Sequence, residues 1–146
     1  MTNFIAPGSG RILLIHLTKG DDLVRSIIDA CRENGIETGV VLSGIGSLRR
    51  YHYHYIKDTK DVPTDIFEVV EGPLELVALQ GLIIEGIPHL HGVVSQAGTK
   101  TYSGHFEEEG SEVQYLAEIA IQEIKDIKIG RRTGENTTIK HLEILN

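Results

Sequence analysis

Three histidines carry the most chemistry in this chain. His89 and His91 flank Leu90, so on an extended strand both imidazoles point to one face. They then stand roughly 6.5–7 Å apart along the strand. His105 lies beyond a turn signal at Gly98. A hairpin centred on Gly98 pairs positions whose numbers sum to 196, which sets His91 directly opposite His105. Such cross-strand partners have Cβ atoms about 4.5–5.5 Å apart. Three neutral imidazoles on one face suit a divalent transition metal, with a fourth position left for water or another ligand. Zinc is the first expectation, while nickel, cobalt and iron also accept imidazole. Gly92 and Gly104 are read as keeping the neighbourhood open to a ligand.

Other residues are weighed against the same chemistry. Glu75 interrupts an apolar run and is either outward-facing or a tentative catalytic partner. In the second role it orients a metal-bound imidazole or acts as general base on a metal-bound water. His52 and His54 form a second His-x-His pair with no third partner evident in sequence. His16, within an apolar strand, is read as a core residue, and His141 as structural. Cys31 lies on the apolar face of a helical pattern and reads as a buried structural thiol.

The elements that must position these residues follow from periodicity. Residues 11–17 form a near-continuous apolar run, as in a buried strand. Asp21 and Asp22 open a helix whose face is Leu23, Val24, Ile27, Ile28 and Cys31, and Gly35 stops it. Residues 36–43 read as a strand and 44–47 (Gly-Ile-Gly-Ser) as a glycine-permitted bend. That tetrad lacks the remaining residues of a P-loop or dinucleotide fingerprint. Residues 50–57 alternate tyrosine against histidine, a period of two. Residues 58–63 are a polar loop. Further strands are predicted over 66–71, 74–84, 89–95, 100–106 and 139–145, broken at Gly72-Pro73, 86–88 and 96–98. Residues 113–124 fit either a strand or a second, amphipathic helix, and 131–138 read as an exposed polar loop. The sum is an α+β domain over residues 11–146, preceded by a flexible lead-in over 1–10. Its sheet is mostly antiparallel, with about seven strands packed against one long helix and room for a second.

Composition bounds the partners. The chain has 146 residues, 14 basic against 21 acidic, and a net charge of −7. Duplex binding rests on neutralising phosphates, so nucleic acid is a disfavoured partner for the isolated chain. One cysteine excludes an intrachain disulfide and a cysteine zinc cage. There is no run of about 18 apolar residues to form a membrane helix. Residues 1–10 lack the pattern of a secretory signal, so a cytoplasmic protein is expected.

The ordered segments also carry a resemblance. These are Asn34-Gly35-Ile36, Leu42-Ser43-Gly44-Ile45-Gly46-Ser47-Leu48, residues 74–81, Pro88-His89-Leu90-His91-Gly92-Val93-Val94, and Ser103-Gly104-His105-Phe106. In that order, over about residues 11–124, the chain resembles the plant and prokaryote conserved (PPC) domain of stand-alone prokaryotic proteins and of plant AT-hook nuclear proteins. The resemblance implies a homotrimer of compact domains, with a metal on His89, His91 and His105. The family's Gly-Gly-His is Ser103-Gly104-His105 here. The plant stretch Gly-Arg-Phe-Glu-Ile-Leu, used to contact other nuclear proteins, aligns with Gly72-Pro73-Leu74-Glu75-Leu76-Val77, with Pro73 replacing the arginine. The DNA-binding AT-hook is absent.

Three functions are therefore weighed. The first is a trimeric metal-binding domain. The second is a metal-dependent hydrolase- or lyase-type enzyme that takes a small-molecule ligand at the same site. The third is a DNA-associated regulatory protein, as in the plant relatives.

Overall fold

A computed structural model describes residues 6, 8–134 and 139–145. Strand β1 (Gly8–Thr18) leads into helix α1 (Leu23–Glu33), then β2 (Thr38–Ile56), β3 (Asp65–Ile84), β4 (Ile87–Gln96), β5 (Lys100–Phe106), β6 (Glu112–Lys125), β7 (Ile129–Thr133) and β8 (Lys140–Ile144). The expected lead-in is shorter than residues 1–10, because Gly8–Gly10 already belong to β1; residues 1–5 and 7 lie outside the described residues.

The helix forms where the pattern places it. Asp22 caps it by accepting from the Arg25 backbone N–H at 3.1 Å. Its other carboxylate oxygen accepts from the Gly110 and Ser111 N–H groups at 2.6 and 3.2 Å, tying the helix start to the loop before β6. Gly35, at φ 64°, takes the left-handed conformation that ends it. Leu23, Val24, Ile27, Ile28 and Cys31 are all buried beneath the sheet. Burying each of these aliphatic side chains is worth about 1.5–3 kcal/mol. Burial also pushes the Cys31 thiol up to about 11, as fits a structural cysteine.

Six strands form one antiparallel sheet in the order β1-β6-β2-β3-β4-β5. A further pairing, Tyr53 with Phe106 and His54 with His105, joins β5 back to β2. Strands β2, β3, β4 and β5 thus close into a ring. The second helix considered over residues 113–124 does not form; that segment is β6. Its inward residues Val113, Ala117, Ile119 and Ile121 are buried, but Leu116 and Ala120 are apolar on the outward face, and this masks the period of two. Residues 44–47 are not a bend but the interior of β2, whose irregularity is a set of register shifts against β6. Likewise Gly72-Pro73 does not break β3 but sits at a register shift opposite Leu48 and Arg50. The remaining pair, β7 with β8, is a small sheet of its own. It replaces the start of the polar loop expected over 131–138, of which residues 135–138 lie outside the described residues.

Inside the ring lies the tyrosine face of β2. Tyr51 and Tyr53 are buried and stacked at 4.4 Å, and Phe106 leans on Tyr51 at 4.6 Å. Gly92 and Gly104 face each other across β4 and β5. Both line a small cavity with His91, in keeping with the expectation of open space, but the inner side of each is filled. A Cβ at Gly92 would stand 2.5 Å from Phe106, and one at Gly104 2.5 Å from the His54 carbonyl oxygen. Their smallness lets ring and backbone close up behind the histidines.

Candidate metal centre

The three histidines are assembled by one hairpin. Ala97 and Gly98, both at positive φ, form its turn, and the register runs from Gln96 opposite Lys100 to His91 opposite His105. This is the pairing that the sum of 196 predicts. Behind β4, Gly81 at φ 153° lets β3 approach; a Cβ there would stand 2.0 Å from the His89 carbonyl oxygen. Leu90, Gly92 and Val94 point inward and are buried, so His89 and His91 point outward.

Ligand nitrogens of His89, His91 and His105 all lie within 4.8 Å of one another. The Nε2 atoms of His89 and His91 are 3.1 Å apart. A tetrahedral ion at about 2.0–2.1 Å from each nitrogen holds such a pair roughly 3.3–3.4 Å apart. The rings of His89 and His91 lie 4.7 and 5.3 Å from that of His105. Burial, followed by the neighbouring His89, His54 and His91 and by Arg131, pushes His105 down to about 3. Burial also lowers His89, with Arg131 the next cause, and His91, with His54 the next. Burial thus pushes all three towards the neutral form, which offers the lone pairs a metal requires. The donor set fits a divalent transition ion.

Three residues join the site that sequence reasoning did not place there: His54, Glu107 and Arg131. His54 comes across from β2 and stacks on His105 at 4.5 Å, and its Nδ1 lies 2.5 Å from Glu107 Oε1. His54, His105 and Glu107 form a second group of potential ligands within 4.8 Å. The missing third partner of His54 was Glu107, one residue past β5, brought near by the β2–β5 pairing. Arg131 on β7 lines the same open cavity as His89 and His91. Its signal was buried in a polar run, and only the pairing of β7 with β8 reveals it.

Other candidates lie elsewhere. Glu75 stands opposite Ser47 and Ser95 and lines a different cleft with Arg49, Gln114 and Tyr115. Ser95 is four positions along β4 from His91, roughly 13 Å. Within one chain Glu75 therefore neither orients these imidazoles nor reaches a water among them. His16 is not a core residue: it alternates outward from Leu17 and is exposed, with its Nδ1 3.8 Å from Glu118. His52 bonds to the Glu109 carbonyl at 2.9 Å, away from the cluster. His141 is exposed on β8 opposite Arg132.

This geometry can be set beside known proteins. The sequence profile of the Plants and Prokaryotes Conserved (PCC) domain matches residues 5–125. The chain belongs to that family. A PCC protein of known structure from Pyrococcus horikoshii, called there a plant- and prokaryote-conserved protein, is 27% identical, with a TM-score of 0.77 over 97% of both chains. A metal-containing protein from Archaeoglobus fulgidus is 26% identical, with a TM-score of 0.82 over 97% of this chain and 98% of that one. A bifunctional GlmU protein from a Synechococcus strain is 28% identical over 138 residues, 94% of this chain. The chain spans about a fifth of that relative's length, 21%. β7 and β8 lie beyond the matched residues, so Arg131 belongs to a part of the fold that the family profile does not cover.

Proposed function

We propose that this PCC protein binds one divalent transition ion, zinc before the others, on His89, His91 and His105, and that it works as a homotrimer. The observation that carries the metal reading is the convergence of three histidines on one outward face, with their ligand nitrogens within 4.8 Å of one another. The Archaeoglobus relative, described as metal-containing, supports it. A bound ion would supply Lewis acidity at an open fourth position. The chain's own residues hold the three nitrogens in place and dry the back of the site with Phe106, Tyr51 and Tyr53. The trimer reading is supported by the outward face of β1, β2 and β6, where Ile12, Leu14, Leu42, Ile45 and Leu116 are exposed. Such a gathering of exposed apolar side chains on one face is common at an interface.

Elemental analysis of the tag-free protein tests the metal reading. About one first-row metal per chain is expected in the wild type, or after loading with zinc or cobalt. His91→Ala and His105→Ala should lose it while their circular dichroism stays native. A wild-type protein that takes up no metal under any loading would overturn the reading.

A further inference from the structure

Glu85 and Gly86 form the tight turn between β3 and β4, both at positive φ. The Glu85 carboxylate accepts from Arg132 Nη1 and Nη2 at 2.8 and 2.9 Å and from the Arg131 backbone N–H at 3.2 Å. This fork fixes β7 against the edge of the histidine site. It also consumes the Glu85 carboxylate, while Glu143 across from Gly130 acts on Arg132. The Arg131 guanidinium, half-buried, has no ion pair among the described residues, although it lines the cavity with His89 and His91. The carboxylate nearest the histidines, Glu107, is engaged by His54.

The charge count in this cavity is therefore one-sided. The imidazoles of His89 and His91 are neutral when they hold a metal and contribute nothing, a bound divalent ion would bring two positive charges, and Arg131 brings one more. A guanidinium withdrawn from water without an anion is costly, and its planar fork matches an oxyanion. The rest of the wall is mostly apolar, with Val40, Leu82 and Leu142, and carries one amide, Gln80. The volume is about 560 Å³, within the roughly 300–1,000 Å³ usual for small-molecule sites.

The geometry points to an oxyanion subsite: the metal centre takes a small organic anion, a carboxylate or phosphate, held by Arg131 beside the ion with its apolar body against Val40, Leu82 and Leu142. This rests on the metal reading above and names the ligand class of the same centre. Electrostatic pairing with the guanidinium orients the anion, and the open metal position accepts one of its oxygens.

Cobalt-loaded protein in chloride-free buffer tests it, read by the visible absorption of the ion. Butanoate probes the carboxylate source and sulfate the tetrahedral, phosphate-like one. At least one should give a saturable spectral change. Arg131→Gln should weaken that binding tenfold or more at unchanged cobalt stoichiometry, Arg131→Lys should restore part of it, and the remote Arg49→Gln should leave it unaltered. Cobalt uptake with no spectral response to either anion, or with equal affinity in Arg131→Gln, would overturn the subsite and leave the metal reading standing. Failure of the wild type to take up cobalt would overturn both.

Discussion

His105 stands between two sets of partners, His89 and His91 on one side and His54 with Glu107 on the other. Both sets could in principle share it, and the hydrogen bonding decides between them. Glu107 and His54 already satisfy each other, whereas His89 and His91 have only one another's Nε2. In the first set a metal takes the place of one 3.1 Å bond between two imidazoles, whereas in the second it must break the shorter bond of an imidazole to a carboxylate. Hence His89→Ala should abolish metal uptake, while Glu107→Gln should keep one ion per chain by mass spectrometry; the opposite pattern would move the centre to His54, His105 and Glu107. At this scale the sequence was readable where partners are near in the chain. His91 and His105 follow from the turn at Gly98, and Cys31 from helical spacing. His54 was not readable as a member of the site, because the β2–β5 pairing joins strands far apart in sequence and leaves no local mark. Glu75 misled for a related reason: an acidic residue in an apolar strand shows its face, but not its distance along the strand.

Among the elements, the β7–β8 hairpin depends most on a single interaction. Arg132 holds the Glu85 carboxyl down at about 2, with the Arg131 N–H as the next cause. A carboxyl depressed in the folded state contributes stability above its ordinary value, about 4.3, and loses it as the pH falls towards the folded one. Docking of β7 should therefore be complete at neutral pH and fade between about 4.3 and 2. Hydrogen exchange corrected for intrinsic rates should show residues 129–133 losing protection over that window. In Glu85→Gln the protection should be lower at neutral pH and nearly flat across it; an unchanged profile would remove Glu85 as the clamp. The elements themselves were legible to different degrees. Helix α1 has a cap, a face and a stop, and strand β5 falls on its predicted limits of 100 and 106. β2 and β3 were each read in two pieces, since glycine and proline mark bulges as readily as ends. β6 was ambiguous because both its faces carry apolar residues.

For the whole molecule, the apolar outward face sets the expected assembly. Leu14, 76% exposed, lies between Ile12 and His16 on β1 and opposite Ala120. No helix among the described residues is long and apolar enough to cross a membrane, and α1 covers only the inner face of the sheet. Sedimentation should report three chains for the wild type and a single chain for Leu14→Arg with its circular dichroism preserved. A monomeric wild type would refute the trimer. The closed ring of β2, β3, β4 and β5 has a different bearing on how the centre comes into being. Completing that ring requires β5 to find β2 across a long intervening stretch of chain, a slow kind of search. The hairpin of β4 and β5, by contrast, needs only a short loop to close. All three imidazoles of the proposed centre lie on that hairpin, between residues 89 and 105. An ion bound by the proposed centre would thus be captured while the ring is still open, and once held would pin the register of two strands before the others dock. Metal in the growth medium would then affect how quickly the chain matures as well as what the mature protein binds.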